Sequence, residues 1–316
     1  MSDAPDPAAP RVSVVVCTHN RAAYLRGALA SLVAQTLPAD AYEVLVVDNR
    51  SIDDTPAVVA QFTGSLPVRR VFESTLGLCH ARNTGWRAAR APWVAYFDDD
   101  AVADPGWLAA IHDTFADRPD LGVVGGPVHA IWEAPRPAWL SDPVSRALTI
   151  LDWGEAHDIP DVRVEWLAGA NMALPRAVLD ALGGFDPRLD RVGHNMLSSG
   201  DVQLQQRALA RGYAVRYEPA AAVGHVVPAA RLTQQWFRRR YYWQGISDAV
   251  MRLIAQQPSP TRRAAWLARD TARLLGDRRT LRALARRTED PTEFEASCWA
   301  WIAAGQLAGL AGRGGR

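Results

Sequence analysis

Runs of β-branched and other apolar residues recur through the first hundred positions, and each stops abruptly in polar ones. They are RVSVVVCTHN (11–20), YEVLVVDNRS (42–51), PVRRVFE (67–73) and PWVAYFDDD (92–100). Each reads as a strand, the first two as fully buried ones. Between them, Leu25, Leu29, Leu32 and Val33 recur at helical spacing, and a second helix is expected through TPAVVAQF. LCHARNTGWRAAR (78–90) reads as a third helix with Gly85 inside it. Strand–helix alternation with short links implies right-handed crossovers and a parallel sheet, an α/β fold. In such sheets ligands bind beyond the carboxyl ends of the strands.

The residues at those ends can meet a ligand. Thr18, Asn20 and Arg21 follow the first strand, Asp48 closes the second and Glu73 the third. Asp98, Asp99 and Asp100 follow the apolar Ala95, Tyr96 and Phe97 of the fourth. In an extended chain Asp98 and Asp100 point to the same side. Two carboxylates converging there suit a hard divalent cation with oxygen ligands. The plainer alternative is a solvated acidic turn that stops the strand, although three adjacent carboxylates are costly to hold together without a counter-charge. Asp48 also has a plainer reading as a turn former. For Glu73 and Arg82 the plainer reading is a surface ion pair, and for a lone His225 it is a hydrogen-bonded core or loop residue.

A chain of 316 residues, 48% hydrophobic, is enough for one large α/β domain or two smaller ones. Cys17, Cys79 and Cys298 are too few and too scattered for a disulfide framework or a zinc site, so a reducing cytoplasm is expected. The first ten residues, MSDAPDPAAP, lack an apolar signal core and read as a disordered tail. The chain has no lysine, which excludes a P-loop lysine and a Schiff-base lysine. Its net charge of +1 hides a split: residues 1–228 hold 19 arginines and 27 acids, residues 229–316 hold 16 arginines and 7 acids. The split suggests two parts with different partners, with a boundary near VVPAAR (226–231).

VSVVVCTHNR, VLVVDNRS, ARNTGWRAA and YFDDDAV, in this order and spacing, resemble the donor half of family-2 glycosyltransferases with the GT-A fold. The resemblance continues through WLAGANMALPR (166–176), GGFDPRL (183–189), GDVQLQQRALARGY (200–213) and PAAAVGH (219–225), and covers roughly residues 11–245. It implies a GT-A domain over 11–228, with a nucleotide-sugar-binding half (11–103) and an acceptor half (104–228), followed by a helical, arginine-rich region (229–316). It implies inverting transfer of a sugar from a nucleotide-sugar donor, usually a UDP-sugar, helped by Mg²⁺ or Mn²⁺. The acid run would be its DXD metal motif, with Asp98, Asp100 and His225 as metal ligands. Thr18, Asn20, Arg21, Asp48, Glu73, Arg82, Asp98 and Asp99 would lie around the nucleotide sugar. Asp201 sits where the family places its catalytic base, usually within an acidic pair. Here Gly200 replaces the first acid and Gln203 stands where another Asp is common. The competing role for Asp201 is to cap the helix that follows it.

The chemistry agrees with a transferase. A sugar diphosphate carries a good leaving group once its growing charge is neutralised, so one base suffices. A glycosidase needs two carboxylates. A nucleotidylyltransferase would want a Gly-rich basic loop and a catalytic lysine, whereas the first loop here is CTHNRAAY. The altered residues around Asp201 leave a non-catalytic nucleotide-sugar-binding or scaffold protein as the alternative. On the acceptor side, Trp132, Trp139, Trp153 and Trp166 are sugar platforms or core residues. RLDRVGHNMLSSG (188–200) reads as a loop, in which His194 is an acceptor candidate; Asp186 and Asp190 are the next acids to consider for the base. RLTQQWFRRRYYWQG (231–245) interleaves arginines and aromatics on an expected helix. It suits an anionic membrane surface at the inner face, a phosphate-bearing acceptor, the acidic first part or a second copy. ASCWAWIAAGQLAGLAG (296–312) is short for a membrane span and reads as a core or dimer helix. No nucleic-acid partner is expected, because nothing before residue 229 supports one.

Overall fold

The computed structural model describes residues 9–313, so the tail expected at 1–10 lies almost wholly outside the described residues. The chain divides into two compact units. The first comprises residues up to Ile131, Ile150–Asp186 and Asp201–Val226. The second comprises Trp132–Thr149, Pro187–Gly200 and Val227 onward.

The first unit opens with β1 (Val12–Thr18), α1 (Ala22–Val33), β2 (Tyr42–Asp48), α2 (Thr55–Phe62), β3 (Val68–Phe72), α3 (Leu78–Ala88) and β4 (Trp93–Asp98). A turn at Asp99–Asp100 leads into β5 (Ala101–Ala103), α4 (Trp107–Asp117), β6 (Leu121–Gly125) and β7 (Val128–Trp132). After the segment of the second unit that holds the short helix α5 (Asp142–Ser145), the first unit resumes with β8 (His157–Asp158), β9 (Asn171–Pro175) and α6 (Arg176–Leu182). Next are α7 (Gly200–Leu209), β10 (Ala214–Tyr217) and β11 (Val223–Val227). The large sheet has the order β3-β2-β1-β4-β9-β6-β10-β8. β9 runs antiparallel to β4 and β6, and β8 antiparallel to β10; the other pairs are parallel. A three-stranded sheet, β5-β11-β7, lies beside it.

The uninterrupted apolar runs have a direct cause. Val12, Val14, Val16, Val44 and Val46 enter one core cluster with Leu25, Leu29 and Leu32 of α1. Val15, Leu45, Val47 and Tyr96 enter another, with Trp86 of α3 and Met172 of β9. Both sheet faces are covered, so neither set of alternate positions turns polar. α3 approaches closely because residue 85 is glycine: a Cβ there would lie 2.3 Å from Val15 Cγ1.

The fourth strand is shorter than the 92–100 run suggests. It ends at Asp98 because residues 101–103 leave the large sheet to pair antiparallel with β11, and the two acids between make the turn.

The second unit is largely helical, with α8 (Gln234–Gln256), α9 (Pro260–Gly276), α10 (Arg278–Ala285) and α11 (Pro291–Leu310). α8 and α11 meet at glycines: a Cβ on Gly245 would sit 2.0 Å from Ile302 O, and one on Gly305 1.9 Å from Tyr242 O. The apolar segment 296–312 is therefore a packing helix within this unit. Trp139 packs edge-on against Phe237 (5.4 Å) and Phe294 (4.8 Å), a core position. Among the described residues no helix is long and apolar enough to cross a membrane.

Candidate active site

The parallel register sets the carboxyl ends of β1, β2 and β4 side by side: Thr18 pairs with Asp48, and Cys17 with Asp98. β11 then brings in His225. Its antiparallel register against β5 sets His225 opposite Ala101, and Val226 N donates to Asp100 O at 2.9 Å. His225 Nε2 thereby reaches Asp100 Oδ1 at 3.2 Å. Asp98, Asp100 and His225 each bring one ligand atom into a group within 4.8 Å of one another. The convergence comes from the turn, not from an extended strand. Two carboxylates and one imidazole fit a divalent cation of the Mg²⁺ or Mn²⁺ class, the nitrogen favouring Mn²⁺. His225 is buried, and among the described residues its Nδ1 has no hydrogen-bond partner. Burial alone would raise the Asp100 carboxyl; the hydrogen bond and charge of His225 and the Arg21 guanidinium instead hold it below the usual range.

Asp99 points elsewhere. Its Oδ2 accepts from Thr18 Oγ1 (2.7 Å) and its Oδ1 from Arg21 Nη1 (2.8 Å). Arg21 Nη2 donates to Asp100 Oδ2 at 2.6 Å, so one guanidinium bridges both acids of the turn. This is the counter-charge that adjacent acids require. Burial still pushes the Asp99 carboxyl up to about 7, against the pull of Arg21.

The other strand-end residues form a polar lattice. Asp48 is buried, ion-paired with Arg70 (2.9 Å), and accepts from Ser51 N (2.8 Å). Asn20 adopts φ 54, tolerable for Asn, and its Oδ1 accepts from Ile52 N at 2.7 Å. Glu73 accepts from Thr75 N at 2.5 Å and from Thr84 Oγ1. Sequence reasoning missed Asn49, whose Nδ2 donates to Thr75 O (2.7 Å) and whose Oδ1 accepts from Gly77 N (2.8 Å), tying β2 to the start of α3. It also missed His19, held by Asn49 O at 2.7 Å. The signal available was their place at the strand ends.

Arg82 is buried, not a surface residue. It pairs with Asp98 at 3.3 Å and lies over the Phe185 ring at 5.2 Å. Burial would lower its pKa, but the charges of Asp98 and Asp201 outweigh that and raise it. Asp201 lies inside the first turn of α7: Oδ1 accepts from Val202 N and Oδ2 from Gly169 N, both at 2.9 Å. Gln205, one turn on, accepts from Leu167 N (3.0 Å) and donates to Leu167 O (2.8 Å), pinning the 167–169 loop to the helix. Neither Gly169 nor Gln205 is legible as a site residue, because each acts through contacts more than thirty positions away.

Trp153 Nε1 donates to Trp166 O at 2.9 Å, and the two rings meet edge-on at 5.5 Å; both are half-buried. Trp132 is half-exposed. In the second unit, residues 190–199 form no helix or strand. There Arg239 donates to His194 O at 2.6 Å, and Asp190 is buried. Ser198 N donates to Ser247 Oγ (3.0 Å) and Gln244 Nε2 to Ser199 Oγ (2.9 Å), which ties this loop to α8. Burial lowers the pKa of Arg207, with the charge of Asp186 opposing it only in part.

A mostly parallel, helix-flanked sheet of this order is that of a GT-A transferase, and comparison with known proteins agrees. The glycosyl transferase family 2 profile matches residues 13–172, and the glycosyl transferase family group 2 profile matches 93–282. The chain belongs to glycosyl transferase family 2 and is a glycosyltransferase. It is 28% identical over 259 residues to a glucosyl-dolichyl phosphate glucuronosyltransferase of Haloferax volcanii, covering 80% of this chain and 81% of that one. It is 29% identical over 229 residues to a validoxylamine A glucosyltransferase of Streptomyces hygroscopicus subsp. jinggangensis, covering 64% of this chain and 52% of that one. The chain thus spans about half the length of the Streptomyces relative. A mannosyltransferase from Pyrobaculum calidifontis, solved in complex with GDP-Man and Mn²⁺, aligns with a TM-score of 0.61 at 25% identity, over 98% of this chain and 90% of that one.

Proposed function

We propose that this protein is a metal-dependent, inverting glycosyltransferase that moves a sugar from a nucleoside diphosphate sugar to an acceptor hydroxyl. The observation that carries this reading is the Asp98, Asp100 and His225 trio at the carboxyl edge of the parallel sheet. A divalent cation held there would act as a Lewis acid on the diphosphate leaving group. Arg21 locks the acid turn and limits carboxylate repulsion. Asp48, with Thr18 beside it in register, lines the nucleotide edge. Asp201 is the proposed base. It takes the acceptor hydroxyl proton as that oxygen bonds to the anomeric carbon from the face opposite the leaving group. The bond from that carbon to the diphosphate oxygen breaks, and the nucleoside diphosphate departs. The resemblance in sequence favours uridine in the donor, while the Pyrobaculum relative was solved with GDP-Man, so both nucleotides belong in any test.

Asp201→Asn tests the base. It should leave donor binding intact and lower transfer by about 10²–10⁴-fold, the usual worth of a positioned base. Slow donor hydrolysis serves as the readout until the acceptor is known. An unimpaired Asp201→Asn enzyme would move the search for a base to Asp186 and Asp190. A chain that binds the nucleotide but neither transfers nor hydrolyses the donor would be the scaffold alternative.

A further inference from the structure

The helices α9 and α10 form a strongly basic segment that the proposed chemistry leaves unused. Residues 260–287 hold nine arginines against two aspartates, a net +7 in 28 positions. Both aspartates are engaged. Asp270 pairs with Arg269 (2.7 Å) and Arg252 (3.3 Å), and Asp277 caps α10 by accepting from Arg279 N at 2.9 Å. On α9, Arg262, Arg269 and Arg273 are exposed and, seven and four positions apart, share one helix face. On α10, Arg278, Arg279 and Arg282 are exposed as well. The arginine row does not stand alone. Leu275, in the last turn of α9, is 63% exposed, and the exposed positions 265, 268 and 272 of the same helix are alanines. An open hollow of about 450 Å³, lined by Pro258, Pro260, Ala264, Leu267 and Leu310 with Arg263, adjoins the start of the same helix.

We propose that α9 and α10 dock this protein on an anionic lipid surface. Guanidinium groups there meet lipid phosphates, while Leu275 and the adjoining apolar surface reach the acyl boundary. Charge alone would serve a nucleic acid equally, but an exposed leucine and alanines on the same basic helix match a surface that is anionic outside and apolar beneath. The inference is independent of donor, metal and base, since it reads binding and not turnover.

The test is co-sedimentation of the full chain with vesicles of phosphatidylglycerol mixed with phosphatidylcholine, against pure phosphatidylcholine. The protein should pellet with the anionic vesicles only and be released by salt. Replacing Arg273, Arg278, Arg279 and Arg282 together by Gln should weaken binding about a thousandfold, at about 1 kcal/mol for each basic group near the surface. Leu275→Ser should weaken it further, in a manner that salt does not mimic. Binding to neither vesicle or equally to both overturns the proposal, as does undiminished binding by the quadruple variant. Tighter binding to single-stranded RNA than to anionic vesicles overturns it too. Should the quadruple variant fail to fold, the lipid preference and salt release of the parent chain decide the matter.

Discussion

A Cβ at Gly169 would lie 2.5 Å from Arg82 Nη2, while the Gly169 amide donates to Asp201 at 2.9 Å. One glycine therefore lets a buried guanidinium and the proposed base approach the same loop. Gly169→Ala is expected to displace one or the other. A shift of about 1 Å in a reacting group costs on the order of a hundredfold in rate. Turnover should fall by about that much, with the thermal midpoint moving by far less than global unfolding requires. Glu43 makes a different point, about stability. It is buried at β2 and accepts from Ser13 Oγ (2.7 Å), Arg90 N (2.7 Å) and Arg90 Nε (2.9 Å). Burial would raise its pKa, but these bonds hold it below the ordinary 4.5. The unfolded chain then binds more protons, so this contribution is full above about 4.5 and is lost as pH falls through the lower folded value. Glu43→Gln should cost about 1–3 kcal/mol near pH 7 by chemical denaturation, and the two proteins should converge in acid.

Residue identity alone exposes part of this site. The acid run is visible because three adjacent carboxylates closing an apolar strand have few structural excuses, whereas Asp201 and His225 are picked out only through the family resemblance. Asn49, Gly169 and Gln205 are not visible, because an amide or a glycine has a role only through the backbone it meets. The contacts of Asp201, whose two oxygens accept from Val202 N and Gly169 N, are likewise visible only in three dimensions.

At the scale of elements, the buried strands of the large sheet announce themselves, since burial on both faces leaves an unbroken apolar run. The turn at Asp99–Asp100 does not. It depends on β5 pairing with β11, more than 100 positions later, and contact order of that kind leaves no local trace. The helix at 291–310 is legible as apolar but not as a partner of α8, since its glycines read equally as interruptions. Gly245 and Gly305 meet backbone carbonyls at 2.0 and 1.9 Å on adding a Cβ, and carbonyls cannot swing aside as side chains do. Gly305→Ala should therefore force α8 and α11 apart and lose about 1–3 kcal/mol in a urea titration, the usual cost of overpacking. An alanine at Gly276, which has open space around it, should cost nothing of this kind.

Across the whole molecule, the two proposals fall on different parts of the chain. The acids of the first unit include the proposed ligand set and the proposed base, and the arginines of the second include the row proposed for lipid. The central claim rests on the first of these, and nucleotide binding with and without metal tests it most directly. Calorimetric titration of UDP and GDP into the protein should show tight binding of one of them in Mn²⁺, and weak binding in a chelator. In Asp100→Ala and His225→Ala proteins that melt like the parent, the Mn²⁺ enhancement should vanish. Nucleotide affinity that is the same with Mn²⁺ and chelator, and unchanged by Asp100→Ala, would contradict the account.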